Sequence, residues 1–384
     1  MYNNDSITAP KSPLGDLGVP KSPLGDLGVK VPFRGFRDEL VIKKLSKASF
    51  PLLIKKISET QQVYAPVRHG KRVSYQRISS VDELASDFII PDLSAKSFVF
   101  PKIEKLLSYT KNKDGVEIQD INLDHIPHKV VVGIRPCDAA GMESLKAIFT
   151  WPPADPIFET RLLRTAFIGF SCNQSDEYCF CTSLGGSPGN TKGSDILLTK
   201  TDKGDYIAEI LTPKGENIAS LAPDLFEDAE DLHKENYLAD VPIRFDDSDL
   251  QSKVNTAFDT DAFDEYAMRC IGCSACTYVC PTCACFDIQD ETKGSKGQRV
   301  RLWDSCGTKL FTLHTSGHNP RETQGARWRQ RIMHKFSYMP ERLNIRGCVG
   351  CGRCSRRCPV DMNIAENLNS ISHSFMSLRS NRSK

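Results

Sequence analysis

The chain has 384 residues, of which 40% are apolar, so length and composition predict a soluble protein of two or three domains. Its 50 basic and 48 acidic residues leave a formal net charge of +2, which gives no global reason to expect a nucleic-acid partner. No stretch approaches the roughly 20 apolar residues of a membrane helix, and the start of the chain has no signal-peptide pattern. We therefore expect a cytoplasmic protein without a membrane span, in which the 15 cysteines stay reduced and serve as metal ligands.

A tandem repeat lies near the start of the chain. The sequence PKSPLGDLGV occupies residues 10–19 and again residues 20–29. Segments rich in Pro, Gly and Ser cannot bury a core, so we predict a flexible arm over residues 1–30. A tolerated duplication explains the repeat better than a binding role does, since chain termini accept such changes.

Residues 31–255 are predicted to form an α/β domain with a mainly parallel sheet. A continuous apolar run at residues 130–134 is followed by helical spacing over residues 142–148, and a second short apolar run spans residues 165–172. This order predicts a β-α-β crossover, in which the two strands are parallel and the helix covers one face of the sheet. Turn residues within 195–210 predict a hairpin.

The pattern C-x2-C-x2-C-x3-C-P occurs twice in the last third of the chain. Three thiolates at two-residue spacing can wrap three corners of an iron–sulfur cube, and the fourth cysteine of such a motif ligates the other cluster in two-cluster ferredoxins. A zinc ribbon would use separated C-x2-C pairs, so zinc is disfavoured here. We predict two 4Fe-4S clusters, the first held by Cys270, Cys273, Cys276 and Cys358, and the second held by Cys348, Cys351, Cys354 and Cys280.

The C-terminal domain is predicted to span residues 256–384, because the composition becomes cysteine-rich after Phe258. The flanking segments DAFDEYAMR and MNIAENLNSISHSFMSL have helical periodicity. The insertion between the two motifs is far longer than in a small bacterial ferredoxin. We therefore expect an α-helical dicluster ferredoxin-like domain.

A third and less regular set of cysteines lies in the N-terminal domain. Cys137 and Cys172 each follow a predicted buried strand, and the carboxyl ends of parallel strands meet at one edge of a sheet. Cys179 and Cys181 come one short loop later, so four thiolates can converge on a third 4Fe-4S cluster. Zinc and ordinary burial stay as alternatives, because no spacing rule as tight as the dicluster pattern applies.

Six further residues carry no firm metal assignment: Cys283, Cys285, Cys306, His314, His318 and His334. The cysteines can support or substitute within the nearby clusters, or lie in the core. For the histidines packing is favoured, since no ligand stands beside them at metal spacing. The basic run at residues 321–335 is interpreted as local counterions to anionic clusters, and nucleic acid is not expected as a partner.

Several ordered motifs are similar to those of a known protein family. They are GIRPCDA (133–139), CFCTSLGGSPG (179–189), CPTCACFD (280–287), WDSC (303–306), GHN (317–319), HKF (334–336) and the second cluster motif. Over about residues 99–369 the chain resembles the iron–sulfur beta subunits of sulfhydrogenase-type nickel–iron hydrogenases and the A subunit of anaerobic sulfite reductase. The tandem repeat lies outside this resemblance, and Pro320 replaces the aromatic residue expected after GHN.

The resemblance implies an electron-transfer subunit, which relays electrons between an FAD- and NAD(P)H-binding subunit and a terminal hydrogenase, sulfite reductase or heterodisulfide reductase subunit. The sequence agrees with FAD in a partner, because it has no Walker loop and no G-x-G-x-x-G opening a strand-to-helix turn. Two other functions stay open. One is a self-sufficient reductase with a substrate site at the N-terminal cysteines, and the other is a structural zinc protein that binds partners.

Overall fold

The computed structural model describes residues 41–229 and 232–371. The tandem repeat and the arm predicted over residues 1–30 lie outside the described residues. Within the described ranges, twelve β-strands form one sheet of eight strands and one of four. In chain order the strands are β1 (Val41–Leu45), β2 (Gln62–His69), β3 (Arg72–Arg77), β4 (Ile103–Asn112), β5 (Gly115–Asp120), β6 (Lys129–Ile134), β7 (Thr165–Phe170), β8 (Ile196–Lys200), β9 (Tyr206–Ile210), β10 (Phe226–Asp228), β11 (Phe286–Lys293) and β12 (Lys296–Trp303).

Ten α-helices have both ends inside the described ranges: α1 (Ser49–Ser58), α2 (Pro136–Phe149), α3 (Pro156–Leu163), α4 (Pro213–Ala219), α5 (Leu250–Thr256), α6 (Ala262–Ala267), α7 (Ala275–Tyr278), α8 (Gln324–Met333), α9 (Met339–Leu343) and α10 (Arg353–Arg356). A π-helical turn at His334–Tyr338 joins α8 to α9. Residues 364–371 are helical as well. No helix in the described part of the chain is both long and apolar enough to cross a membrane.

The large sheet has the strand order β10-β1-β9-β8-β7-β6-β2-β3. The neighbouring strands β8, β7, β6 and β2 run parallel. The outer strands pair antiparallel: β2–β3 and β8–β9 are hairpins closed by short turns, and β1 pairs with the distant strands β9 and β10. The predicted hairpin at residues 195–210 is thus present. The prediction of a mainly parallel sheet is right for this group of four strands only, and the sheet as a whole is mixed.

Strands β6 and β7 form the predicted β-α-β unit, with α2 and α3 in the connection between them. Val130 and Val132 pack in the core on one face of the sheet, and Val131 and Ile134 pack in the core on the other. This double burial explains the continuous apolar run, because a strand covered on both faces has no solvent side. The carboxyl ends of β6 and β7 consequently lie side by side and lead into the N-terminal cysteines.

The small sheet has the order β11-β12-β4-β5, so it combines two hairpins that lie far apart in the sequence. Strand β12 pairs with β4, and Arg301 forms a buried ion pair with Glu104 across this junction. The hairpin β11–β12 lies between the two cysteine motifs, so the region predicted as an α-helical domain also contains a β-hairpin. Its alternating residues and its turn at Gly294 favour strands over helix.

A third core lies under the cysteine motifs. It is built by the buried side chains of α5, α6, α8 and the helical residues 364–371, among them Phe263, Trp328 and Ile332. Cys270 and Cys358 pack against this core from the two motifs. The helices that flank the two motifs thus form one hydrophobic core against which both motifs pack.

Candidate metal centres

The two cysteine motifs have the same backbone conformation. In each, the residue before and the residue after the second cysteine have positive φ angles, 68° and 60° at Gly272 and Ser274, and 66° and 68° at Gly350 and Gly352. A short helix follows in both cases, α7 and α10. Positive φ angles curl the chain tightly, which suits a loop that wraps its cysteines around one centre.

The second predicted ligand set lines a single cavity. Its lining includes Cys348, Cys351 and Cys354 of the second motif together with Cys280 of the first. The fourth cysteine of the first motif therefore lies with the first three of the second. This is the crossed arrangement that the two-cluster pattern predicts.

Two members of the first predicted set, Cys270 and Cys358, pack against the C-terminal core. Cys276 lies close enough to Cys270 for their charges to interact, and Cys273 is exposed. The side-chain amide of Gln324 donates to the sulfur of Cys270 at 3.1 Å, and the backbone amide of Met362 donates to the sulfur of Cys358 at 3.2 Å. Hydrogen bonds to sulfur are among the features that set cluster potentials.

Two buried cations point to an anionic group in the cavity of the second set. Lys335 and Arg331 are each 3% exposed, both line this cavity, and neither forms an ion pair with a carboxylate of the described residues. The ammonium of Lys335 donates to the sulfur of Cys280 at 3.3 Å. Burial opposes its charge, but the sulfurs of Cys280 and Cys283 outweigh this effect and raise the pKa of Lys335.

Arg331 shows the same need for a negative partner. Its guanidinium donates to the carbonyl of Cys276 at 2.9 Å and to the sulfur of Cys283 at 3.5 Å, while its buried Nε has no hydrogen-bond acceptor. A buried cation without a carboxylate costs several kcal/mol. Thiolate-ligated iron–sulfur clusters carry net negative charge, so a 4Fe-4S cluster fits both the donor set and the charge of this cavity.

The four N-terminal cysteines also lie together. Cys137, Cys172, Cys179 and Cys181 line one pocket at the carboxyl ends of β6 and β7. Burial raises the pKa of Cys172, and it raises the pKa of Cys181 to about 12. These thiols stay protonated without a metal, whereas a bound metal would hold them as thiolates. Four thiolates that line one pocket are a suitable ligand set for a 4Fe-4S cluster.

The N-terminal set is in direct contact with the second motif. Cys351 lines the pocket of the N-terminal set and also the cavity of the second set. The backbone amide of Phe180 donates to the carbonyl of Gly350 at 3.0 Å. A Cβ added at Gly350 would lie 2.5 Å from the Cα of Cys181, and one at Gly352 would lie 2.3 Å from the carbonyl oxygen of Tyr178. Only glycine permits this approach of the two loops.

A buried ion pair fixes the same junction. Arg353, which lies between two cysteines of the second motif, forms a bidentate pair with Asp138, the neighbour of Cys137. Both side chains are at most 1% exposed. The guanidinium of Arg353 also donates to the carbonyl of Pro91 at 2.8 Å. This pair therefore holds the N-terminal set and the second motif in one fixed arrangement.

The residues without a firm assignment are three cysteines that contact a neighbouring sulfur, two exposed histidines, and His334, whose pKa is lowered to about 4 by burial. The sulfur of Cys283 contacts that of Cys280, and the sulfur of Cys285 contacts that of Cys306. His314 and His318 are exposed, with ring centres 5.4 Å apart. Within residues 41–229 and 232–371, no three His, Cys, Asp or Glu side chains have the geometry of a site for a single metal ion.

Sequence reasoning found some of the cations and missed others. Arg331 and Lys335 belong to the basic run that was interpreted as local counterions, and both turn inward. Lys96 is equally buried, and its ammonium donates to the carbonyl of Cys283 at 2.9 Å. No sequence signal marks Lys96, because it lies 187 residues from its partner.

Comparison with known proteins agrees with this geometry. A family model described as a 4Fe-4S dicluster domain matches residues 269–362, the segment that contains both motifs. The protein is thus an iron–sulfur protein of the electron-transferring oxidoreductase class.

One relative defines the family within that class. The chain is 32% identical over 326 residues to sulfhydrogenase 2 subunit beta of Pyrococcus furiosus, which covers 83% of this chain and 94% of the relative. The chain belongs to the family of sulfhydrogenase beta subunits, as the motif resemblance predicted. No solved structure matches it.

Proposed function

We propose that this chain is the iron–sulfur subunit of a multi-subunit cytoplasmic oxidoreductase. It relays electrons between an FAD- and NAD(P)H-binding subunit and a terminal catalytic subunit of the hydrogenase, sulfite reductase or heterodisulfide reductase type. The observation that carries the proposal is the continuity of the cysteine sets, since Cys351 lines the second cavity and the N-terminal pocket alike. Family membership supports a place in a complex, because the relative is named as a beta subunit.

Each of the three sets of four cysteines is proposed to hold one 4Fe-4S cluster. The first 4Fe-4S cluster is assigned to Cys270, Cys273, Cys276 and Cys358, the second to Cys348, Cys351, Cys354 and Cys280, and a third to Cys137, Cys172, Cys179 and Cys181. Shared cavities support the second and third assignments. Common packing against the C-terminal core supports the inclusion of Cys358 in the first. Bound clusters of this kind accept and donate single electrons.

The polypeptide itself sets the environment of these centres. Lys335 and Arg331 place positive charge beside the second set, which favours an electron-rich centre there. Arg353 and Asp138 hold the second and third sets at a fixed separation. The buried side chain of Phe180 lines the second cavity and gives it an apolar wall. An apolar environment strengthens every one of these electrostatic effects.

A second candidate function is supported by a cavity of about 140 Å³ beside the N-terminal set. It is lined by Cys137 and Cys181, by Cys348 of the second motif, and by the polar side chains of Asn190 and Arg346. A small polar substrate in this cavity would contact two of the proposed centres. The chain would then reduce that substrate itself, as a self-sufficient reductase.

The two functions are separated by purifying the tagged chain anaerobically, with and without its co-purifying subunits. The relay predicts that a flavin-containing subunit co-purifies and that the complex oxidises NAD(P)H. The Cys348→Ala complex is expected to retain flavin reduction by NAD(P)H while it loses electron delivery to the terminal subunit. Turnover of sulfite by the isolated chain with reduced viologen would contradict the relay and establish the reductase.

A further inference from the structure

Three cysteines of the described residues, Cys283, Cys285 and Cys306, are not among the proposed cluster ligands. Cys285 directly precedes β11 and Cys306 follows β12, so the base of this hairpin brings the two together. The backbone amide of Asp304 donates to the carbonyl of Cys285 at 3.0 Å and closes the base of the hairpin. The fold therefore positions a pair of thiols there.

The Cys285 and Cys306 side chains are hydrogen-bonded to each other. This contact is the main cause of the lowered pKa of Cys285. The same contact, together with burial, raises the pKa of Cys306. One member is thus favoured as a thiolate and the other as a thiol. This is the arrangement of a reactive dithiol.

Lys96 supplies the positive charge beside the pair. Its side chain is 2% exposed, and its ammonium lies 4.0 Å from the centre of the Trp303 ring. It forms no ion pair with a carboxylate of the described residues. Burial lowers its pKa, and the sulfurs of Cys283, Cys280 and Cys285 oppose that effect. Since a buried cation requires a nearby anion, a thiolate at Cys285 satisfies this need.

The pair adjoins the cavity proposed for the second cluster. The sulfur of Cys283 is hydrogen-bonded to that of Cys280, which lines the cavity, and it also lies within electrostatic reach of Cys306. Arg331 lines the same cavity and contacts Cys283. A continuous group of sulfur atoms therefore extends from the second cavity to the pair.

We propose that Cys285 and Cys306 form a redox-active dithiol that exchanges electrons with the neighbouring iron–sulfur centres. On oxidation the two sulfur atoms form a disulfide bond, two electrons leave to two one-electron iron–sulfur acceptors, and the proton of Cys306 passes to water. Two electrons and one proton restore the thiolate and the thiol. The inference rests on the proposed function, to which it adds a two-electron store beside a one-electron relay.

The test measures thiols in the full chain, purified anaerobically with its metal content intact and poised with mediators over a series of potentials. Acid quenching, alkylation and peptide mass spectrometry then report the state of each cysteine. At the oxidising end we expect a disulfide that links Cys285 to Cys306, with two fewer thiols per chain. At the reducing end both should be alkylated. The proposal is overturned if both stay alkylatable throughout, or if Cys283 replaces either of them in the linkage.

Variants separate a dithiol from a further metal site. Cys306→Ser and Cys306→Ala are each expected to abolish the change in thiol number and to keep the wild-type iron content. Cys283→Ser is the matched control and should retain the linkage. Loss of about four irons per chain in both Cys306 variants would make Cys306 a cluster ligand and overturn the proposal. Wild-type protein without iron would instead contradict the proposed function, so the two failures are distinguishable.

Discussion

Lys335 is the buried cation that contacts a cysteine of the second set directly. Its buried ammonium donates to the sulfur of Cys280, to the hydroxyl of Thr282 at 3.0 Å and to the carbonyl of Gly347 at 2.7 Å. No carboxylate of the described residues neutralises it. The charge must therefore be balanced by the sulfur centre itself.

Replacing this lysine should change a reduction potential. Lys335→Met removes a positive charge beside the proposed second cluster and so disfavours its reduction. We expect the midpoint potential to fall by about 60 mV, a tenfold change in the equilibrium of a one-electron couple. Potentiometric titration followed by EPR measures this. Lys335→Arg should stay close to wild type, as should Lys293→Met on the exposed hairpin. An unchanged potential in Lys335→Met with full iron content would contradict the assignment.

His334 predicts a pH dependence of stability. Burial, followed by the charges of Lys335 and Arg321, lowers its pKa to about 4 from the ordinary 6.5. Since the folded-state pKa is depressed, the stability this residue contributes is present above pH 6.5 and is lost as the pH falls toward 4. Between pH 7 and pH 5 the loss is about 2 kcal/mol.

Thermal unfolding at these two pH values tests the prediction. The wild-type protein should lose more stability between pH 7 and pH 5 than His334→Gln does. His125→Gln, at an exposed histidine, is the control and should behave like wild type. Equal pH dependence in wild type and His334→Gln would show that the imidazole is protonated as readily in the folded chain as in the unfolded one.

The residues that could be predicted are those with a fixed local spacing. The eight motif cysteines are recognisable because each motif is one short segment of chain with its cysteines three or four residues apart. Asp138 and Arg353 lie 215 residues apart, so no local pattern connects them. Buried counterions of this kind are determined by tertiary contacts, which a single sequence does not display.

At the scale of elements, the loop of the second motif carries the contact with the N-terminal set. Gly352 has φ 68°, and a Cβ there would lie 2.3 Å from the carbonyl of Tyr178. Gly185 has φ 72° but open space around it. The two glycines therefore share a backbone conformation and differ in packing, which makes them a matched pair for mutation.

Gly352→Ala should displace the loop that carries Cys179 and Cys181. We expect the variant to lose about four irons per chain, those of the third cluster, because a backbone atom rather than a flexible side chain blocks the added Cβ. Gly185→Ala should cost only about 1 kcal/mol of conformational strain and keep its iron. Iron analysis and thermal unfolding measure both effects. Full iron content in Gly352→Ala would contradict the close contact of the two loops.

Elements were predictable where their periodicity is local. The β-α-β unit follows from an apolar run, a helix pattern and a second apolar run, and it is present as β6, α2, α3 and β7. The pairing of β12 with β4 was not predictable, because two hairpins from distant segments meet in the small sheet. The helical prediction for the C-terminal domain missed β11–β12 because it relied on the segments that flank the motifs.

At the scale of the whole molecule, the described residues form one compact unit. Its buried positive charges lie close to the cysteine side chains. The net charge of +2 conceals five buried cations near the cysteine sets: Lys96, Arg135, Arg331, Lys335 and Arg353. Only Arg353 has a carboxylate partner among the described residues. The buried cations beside the cysteines therefore indicate anionic metal centres, whereas the net charge of the chain does not.

The most direct test of the account is the number of clusters per chain. Iron and acid-labile sulfide are measured in anaerobically purified wild type, Cys179→Ala and the control Cys306→Ser, with low-temperature EPR after reduction. We predict about twelve irons in wild type and in Cys306→Ser, and about eight in Cys179→Ala with the ferredoxin-like signals retained, counting four irons per cubane. About eight irons in all three proteins would contradict the third cluster and with it the continuous relay.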